Sequence, residues 1–438
     1  NITIDLSDTT WQKDGDSQKA AKDLAAALRD KEITLKSGAD VKLTFSNGDA
    51  YTFVNGGEDS KVTLTKTDSI LKVNGDITTV TAKIDGNRPA KIDVADGKTV
   101  GTITVNDGTK GTLALTGKGT VSKLDAQGDI KVTATDTTLT EIAVADNKTL
   151  TTAGDIKAGK ISGTGNVTAN GALNVTGAIT AKSVTAESVT AESVTANVTA
   201  GSLELTGSSV TVDGSNTWDV GTLKTTGALT VSDASKLKAG SIESTGALEI
   251  SDTENTLSAT NITSGGALTI ANADNVAKGA NITAKSGLTV NDGDLNAGSL
   301  SVNGELDAGG KTITADSIVF GEKATITNDD TNIKADTVTI DTTKMDATNI
   351  GKLKIEPKAE GGTVNVKVVT SDGSAPSKDI QDAIKTAAGD NKVTVNVTSA
   401  EADKAQAAAD EAIAKADEAF FVTVSGASAG EIEGELMY

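Results

Sequence analysis

The residues best placed to do chemistry in this sequence are aspartates in two turn-like segments. The candidates for a calcium site are Asp292, Asp294, Asp329 and Asp330. Their carboxylates and the neighbouring asparagine oxygens are the hard ligands that Ca²⁺ prefers. Asn, Asp and Gly also form turns for conformational reasons alone, and both segments lack the nonapeptide Gly and Asp spacing of calcium-binding β-rolls. A calcium site and plain turns are both open interpretations.

The sequence lacks two of the residue types that most often act in catalysis. The 438 residues include no His and no Cys, so the commonest general base and the thiolate nucleophile are missing. Paired carboxylates could still act on a carbohydrate, but such a site needs an aromatic-lined groove. Trp218 and Phe320 are the aromatic residues of the central part, and a lone Trp is more typical of corner packing. We therefore expect no enzymatic activity and no cofactor other than the candidate calcium.

The overall charge limits the partners. Net charge is −20 with an isoelectric point near 4.5, so the chain would repel a phosphate backbone, and we expect no nucleic-acid partner. No apolar run approaches the length that a membrane helix needs, which predicts no membrane span. The chain starts at Asn1 without Met, which fits an exported protein after signal-peptide removal.

The stretch from about Gly227 to about Ile340 repeats with a period of about 20 residues. Successive rows begin at Leu229, Leu248, Leu268 and Leu288. Each row holds two further apolar anchors. The middle anchors are Leu237, Leu257, Val276, Leu295 and Ile313, and the last anchors are Ile242, Ile262, Ile282, Leu300 and Ile318.

Three anchors per row predict three short strands per coil, with polar residues alternating outward. The predicted fold is mainly β, a three-sided parallel β-helix with a rung of about 19–20 residues and small α/β caps at both ends. An aromatic content of 2% suits such an interior, which Val, Ile, Leu and Ala can fill. The alternatives are an antiparallel sandwich and a stack of small all-β domains. One outward row, Thr230, Glu249, Thr269 and Thr289, makes ice binding a minor alternative.

Before these rows the repeat is looser. The spacing of about 20 residues still separates Ile130 from Leu150, Val184 from Leu203, and Leu203 from Leu223. Between residues 183 and 197 a unit Ser-Val-Thr-Ala recurs at every fifth position. Simple duplication of strand-turn units and a five-residue coil edge both explain this unit.

Composition and pattern predict three units. Residues 1–78 form an N-terminal α/β cap, residues 79–356 the parallel β-helix, and residues 357–438 a C-terminal α/β cap or docking module. In the first cap we expect a strand at 1–6, a helix at 16–29, strands at 32–35, 41–45 and 51–54, and a hairpin turn at 46–49. In the last we expect a roughly ferredoxin-like β-α-β-α-β order, with strands at 363–369, 393–397 and 420–424 and helices at 376–388 and 400–419.

The rows resemble those of bacterial exported β-solenoids, namely adhesin stalks, autotransporter passengers and some surface-layer proteins. The resemblance covers most of the chain but is architectural, and it implies a structural role at the cell exterior. Copies of the chain itself are then the expected partners, with further contacts to the cell envelope or matrix.

A self-assembling filament or surface layer is the first functional hypothesis. Its candidate contacts lie at the two ends of the chain, where a short alternating strand or an apolar tail could join the next copy. These residues are Asn1, Ile2, Ile4 and Leu6 at the start, and Leu436, Met437 and Tyr438 at the end. The alternatives are a monomeric adhesin or passenger stalk and, less well supported, a carbohydrate-active β-helix enzyme. Both ends could also simply complete their own caps.

Overall fold

The chain winds as a parallel β-solenoid of about 13 turns. The structure is a computed structural model, and it describes residues 3–5, 32–35, 40–44, 50–56, 61–65, 70–83, 90–105, 112–134, 136–251, 257–271 and 278–401. Every strand pair among these residues is parallel and joins one coil to the next, as Ile242 joins Ile262. The predicted parallel β-helix is therefore confirmed, and the antiparallel alternatives are wrong.

The strands before the long central pair are β1 (Thr3–Asp5), β2 (Glu32–Leu35), β3 (Asp40–Thr44), β4 (Ala50–Gly56), β5 (Lys61–Thr65), β6 (Ile70–Val73), β7 (Ile77–Lys83), β8 (Ala90–Val94), β9 (Thr99–Val105), β10 (Thr112–Thr116), β11 (Thr120–Ala126), β12 (Ile130–Ala134), β13 (Thr138–Val144), β14 (Thr149–Thr152), β15 (Ile156–Gly163), β16 (Asn166–Ala169) and β17 (Ala172–Val175). The central pair is β18 (Ala178–Ala191) and β19 (Ser193–Leu205).

The strands that follow are β20 (Ser209–Val212), β21 (Trp218–Thr225), β22 (Ala228–Val231), β23 (Leu237–Ser244), β24 (Leu248–Ile250), β25 (Ser258–Ser264), β26 (Leu268–Ala271), β27 (Asn281–Ala284), β28 (Leu288–Asn291), β29 (Leu295–Asn296), β30 (Ser299–Val302), β31 (Glu305–Asp307), β32 (Ile313–Phe320), β33 (Thr325–Ile326), β34 (Thr331–Asp341), β35 (Leu353–Pro357), β36 (Val364–Thr370) and β37 (Val393–Ser399). The described helices are a 3₁₀ turn at Ala234–Lys236, α1 (Ala347–Gly351) and α2 (Lys378–Ala388).

The three anchor series of the repeat lie on three sides of the coil. Side 1 carries Leu295 opposite Ile313, side 2 carries Ile242 opposite Ile262, and side 3 carries Leu229 opposite Leu248. All of these side chains are buried. Each predicted anchor that is described therefore contributes to an interior column, and Val276 lies outside the described residues. Stacked aliphatic rungs of this kind remove apolar surface from water in every coil.

The coils are shortest between residues 178 and 205. Val184 pairs with Val198, and Ile179 pairs with Val194, so one coil here takes about three quarters of the 20-residue period. Val184, Val189 and Val194 each join a different column, so one Ser-Val-Thr-Ala unit forms one side. The five-residue coil edge is thus confirmed. The predicted equivalence of Val184 and Leu203 is wrong, because shorter coils pair Leu203 with Val189.

The described strands at the N-terminal end continue the same stack. The segments predicted at 32–35, 41–45 and 51–54 are β2, β3 and β4. The hairpin turn predicted at 46–49 is wrong, because β3 pairs in parallel with β1 and β5, whereas β4 pairs with β2 and β6. Turn residues mark a change of direction but not which strand becomes the partner. The helix predicted at 16–29 lies outside the described residues.

Helices enter the coil at the C-terminal end. The predicted helix at 376–388 is α2, capped by the Ser377 hydroxyl, which accepts from the Ile380 N–H. β36 and β37 pair with each other and β36 pairs with β34, so these strands extend the solenoid ladder instead of forming a separate ferredoxin-like sheet. The alternating valines of β36 stack on β34, which explains this continuity. Pairing also crosses residues 78 and 356 without a break, and the division into three units stays a prediction.

Candidate functional site

The calcium candidates lie at exposed corners, where backbone conformation and backbone hydrogen bonds favour Asp. Asp292 and Asp330 adopt positive φ angles of 42° and 59°, a conformation that Asp and Asn tolerate better than most residues. The Asp294 carboxylate accepts a hydrogen bond from the Thr312 N–H at 2.7 Å, one coil on. Asp329 is exposed beside Asp330. Among the described residues no three His, Cys, Asp or Glu side chains group as a metal site would require. Turn geometry therefore accounts for the acidic pattern, and calcium stays a prediction.

The two aromatic side chains of the central part point inward. Trp218 is 3% exposed on side 1, and its indole N–H donates to the Ala196 carbonyl at 3.1 Å. Phe320 is fully buried in a second column of side 2, opposite Val302 and Ile340. Both rings thus fill the interior, and neither offers a face to a sugar.

Charged side chains on the outer faces pair between coils. Ser162 donates to the Glu141 carboxylate at 2.7 Å and Lys160 lies 3.0 Å from it, and these contacts lower the pKa of Glu141. Glu356 lies 2.6 Å from Lys354 of its own strand and 3.4 Å from Lys334 of the neighbouring coil, and both lysines lower the pKa of that carboxyl. Both shifts favour the ionised form. These carboxylates therefore hold coils together through charge and do not have the raised pKa of a general acid.

The predicted outward row on side 3 is in register. Thr230 pairs with Glu249, Glu249 with Thr269, and Thr269 with Thr289. The row then continues to Asp307. A second carboxylate thus interrupts the threonines in the coil after the predicted row.

Buried hydroxyls at two corners were not predicted from the sequence: Thr152 ends a strand on side 1, whereas Thr225, Ser244 and Ser264 end strands on side 2. In the coils of Thr152, Thr225, Ser244 and Ser264 the hydroxyl is almost fully buried and donates to a glycine carbonyl two residues on. The donor–acceptor distances lie between 2.8 and 3.2 Å. A corner carbonyl buried without a partner would be costly. The recurring Ser/Thr-x-Gly triplet is the signal that could have revealed these corners.

The glycines of these corners stack directly on the coil below. A Cβ atom on Gly246 would lie 2.7 Å from the Gly227 carbonyl carbon, and one on Gly266 would lie 2.6 Å from the Ala247 nitrogen. Gly154 differs, because a Cβ atom there would meet nothing within 4 Å. In the rows from Gly227 onward, glycine is therefore required by close approach of backbones.

The assembly candidates fall at the margins of the described chain. Ile4 lies in β1, where its backbone pairs with Val41. Asn1, Ile2, Leu6, Leu436, Met437 and Tyr438 lie outside the described residues. At the other end of the stack, Val395 and Val397 of β37 are 47% and 38% exposed. The structure thus describes the first and the last strand of the described part of the ladder, and the tail lies outside the described residues.

No helix among the described residues is long and apolar enough to cross a membrane. Comparison of the chain with protein-family models, with curated proteins and with solved structures gave no match.

Proposed function

We propose that this protein is a structural subunit that assembles outside the cell, as a filament or a surface layer, through contacts at its ends and along its sides. Strand pairing supports the proposal. A strand inside the stack pairs along both edges, as β9 does with β7 and β11. Among the described strands β1 pairs along one edge only, with β3. Such an edge offers unpaired N–H and C=O groups to another chain, and this observation carries the proposal.

The C-terminal tail is the proposed donor to that edge. Ile432, Leu436 and Tyr438 alternate with other residues, as one face of a strand requires. Addition of this strand to β1 of the next copy would be β-augmentation, in which main-chain hydrogen bonds give affinity and alternate side chains give specificity. A head-to-tail contact that does not close into a ring produces an open fibre.

Charge sets the expected conditions for assembly. A net charge of −20 per chain makes copies repel each other, and dissolved salt screens this repulsion within about 8 Å at physiological ionic strength. Assembly should therefore be stronger at about 0.15 M salt than at about 0.01 M salt. The placement outside the cell rests on the resemblance to exported solenoids.

Electron microscopy and light scattering of the concentrated protein test this function. The full chain should form filaments or sheets, and variants lacking residues 1–6 or residues 436–438 should lose them. Ser215→Ala, at an exposed corner, is the control and should assemble like the full chain. Thr269→Lys tests lateral contacts, because it adds a charge to the outward row of side 3. A monomer at every concentration and salt level would exclude assembly and favour a monomeric adhesin stalk.

A further inference from the structure

The backbone ladder of side 3 is interrupted where the short coils meet the longer ones. Before the interruption, Ile179 of β18 pairs with Val194 of β19. After it, β20 pairs with β22 and is the first strand of a separate seven-stranded sheet. Sides 1 and 2 continue through the same level, because β19 pairs with β21 on both of them. Among the described strands, β20 therefore pairs along one edge only.

A change in coil length accounts for this interruption. The coil from Val184 to Val198 is short, whereas the next coil, from Val198 to Trp218, has the full period of about 20 residues. Because pairing on sides 1 and 2 is kept, the added residues lie on side 3 and at its two corners, between Leu205 and Trp218. The wall of side 3 therefore steps outward at β20, and no strand of the shorter coil pairs with it.

The open edge of β20 presents the backbone groups of two exposed residues. The Val212 carbonyl accepts the Ser232 N–H of the next coil at 2.9 Å. Successive strand residues direct their backbone groups to opposite edges, so the N–H and C=O groups of Ser209 and Thr211 point away from β22. Both residues are exposed, and the edge therefore offers these four polar groups to another chain.

This edge has none of the usual protection. Natural edge strands carry Lys, Pro or a bulge, but β20 reads Ser-Val-Thr-Val and pairs with β22 without a shift in register. Val194, the last member of its column before the step, is only partly buried, whereas Ile179 is fully buried. An unprotected edge beside a partly exposed apolar side chain is suited to an added strand.

Carboxylates flank the open edge at both corners. Glu192 precedes side 3 in the shorter coil, Asp213 follows β20, and both are exposed. The Asp213 carboxylate accepts the Ser215 N–H at 3.0 Å, which lowers the pKa of Asp213 and favours its ionised form. A second copy of the chain, with its net charge of −20, would be repelled. The charge of this region therefore favours a cationic occupant.

We propose that the open edge of β20 binds an extended cationic peptide segment of another protein by β-augmentation. The segment adds as a strand beside Ser209 and Thr211, and its main chain supplies the hydrogen bonds. Lysine or arginine at its two ends faces Glu192 and Asp213. Because β20 has 4 residues and spans about 13 Å, the segment needs about four residues between its basic ends. This site is separate from the assembly contacts proposed above.

A synthetic peptide and the full-length chain test the site. The probe is a fluorescently labelled Lys-Thr-Val-Thr-Val-Lys peptide, and anisotropy measures its binding. The matched control peptide has the same sequence with N-methyl groups on its four central residues, so it keeps the charge and loses the main-chain donors. We expect the control peptide to bind at least about tenfold more weakly, and binding of the probe to weaken as salt rises from about 0.01 M to about 0.15 M.

Thr211→Pro locates the site on the chain. Proline removes the Thr211 N–H, which points away from β22, so the fold should be retained, as a thermal melt would check. We expect this variant to bind the probe at least about fivefold more weakly than the parent. Thr211→Ala is the matched control, because it keeps the N–H, and it should bind within about twofold of the parent.

Charge is tested at the two corners. Glu192→Gln and Asp213→Asn keep the size of each side chain and remove its charge, and each should weaken binding of the probe roughly twofold to fivefold. Unchanged affinity in both variants would show that the peptide ends do not face these carboxylates and would overturn the proposal.

Hydrogen exchange of the full-length chain gives a readout that needs no variant. The probe should slow amide exchange in residues 207–213 and leave β1 unchanged. Protection at β1 instead would overturn this site and leave the assembly hypothesis standing. Equal binding of the N-methylated peptide would show that charge alone attracts it, and would overturn the proposal. Absence of binding to the parent, or unchanged binding to a folded Thr211→Pro, would overturn it as well.

Discussion

The short coils at 178–205 and the longer coils at 228–302 differ in their corners rather than in their interior. In both regions each side has a column of Val, Leu or Ile side chains in register, such as Val189 with Leu203 and Ile242 with Ile262. The short coils turn within continuous strands, and β18 alone runs for 14 residues. The longer coils insert Gly-rich corners and form a separate sheet on side 3. Coil length is therefore set by corner chemistry, while the core stays the same.

The largest expected effect is on the free energy of unfolding when one corner residue is deleted. We expect a large loss in a short coil and a small loss in a longer coil. Deleting Glu187 removes a corner residue from one of the shortest coils, so the remaining residues cannot reach all three sides in register. Deleting Ser215 shortens a corner between β20 and β21, which can absorb the loss. We expect the first deletion to cost more than about 4 kcal/mol of unfolding free energy and the second about 1 kcal/mol or less. Urea unfolding measures both.

Equal losses of unfolding free energy for these two deletions would contradict the proposed difference between short and longer coils. Both residues are exposed, so neither deletion removes a core side chain. If deletion of Glu187 lowers the free energy of unfolding only slightly, the short coils can lose a residue and keep their strand register.

The second effect concerns the glycine corners of the longer coils. In Gly246→Ala the new methyl group would lie 2.7 Å from the Gly227 backbone, so the stacked corners must separate. Overpacking of this kind should cost about 2–3 kcal/mol. Gly154→Ala is the matched control, because its methyl group meets nothing within 4 Å, and it should stay within about 0.5 kcal/mol of the parent. Thermal melts compare the two variants, and a neutral Gly246→Ala would show that close backbone contact does not limit these corners.

The sequence predicted the interior better than the corners. Ile242, Ile262 and Ile282 recur at constant spacing, so the period is visible. Val184 and Leu203 were matched wrongly because the coil shortens between them, and a fixed period cannot detect this change. The turn at 46–49 failed for a related reason, since the same residues suit a hairpin and a solenoid corner.

The candidate site was harder to predict than the fold. Asp292 and Asp294 look alike in a list of calcium ligands, yet one adopts a positive φ and the other accepts a backbone hydrogen bond from the next coil. The role of Asp294 depends on which coil lies above, which local sequence does not specify. Trp218 could be placed in the core only once its column was known.

The smallest effect concerns the buried hydroxyl of the longer coils. Ser264→Ala removes the donor to the Gly266 carbonyl at 2.9 Å, and this carbonyl would lose a partner at a tight corner. The cost should be about 1–2 kcal/mol, measured by urea unfolding. Ser258→Ala, on an exposed outward position, should change the free energy of unfolding by less than about 0.5 kcal/mol.

The short coils explain why this substitution is informative. Ala191 and Leu205 precede the hydroxyls in the same column, so the short coils complete this corner without a hydroxyl at that position. If Ser264→Ala costs no more than Ser258→Ala, the hydroxyl is replaceable there too, and the two kinds of corner differ only in length. A clear loss of unfolding free energy would instead show that the Gly-rich corner requires a side-chain donor at this position.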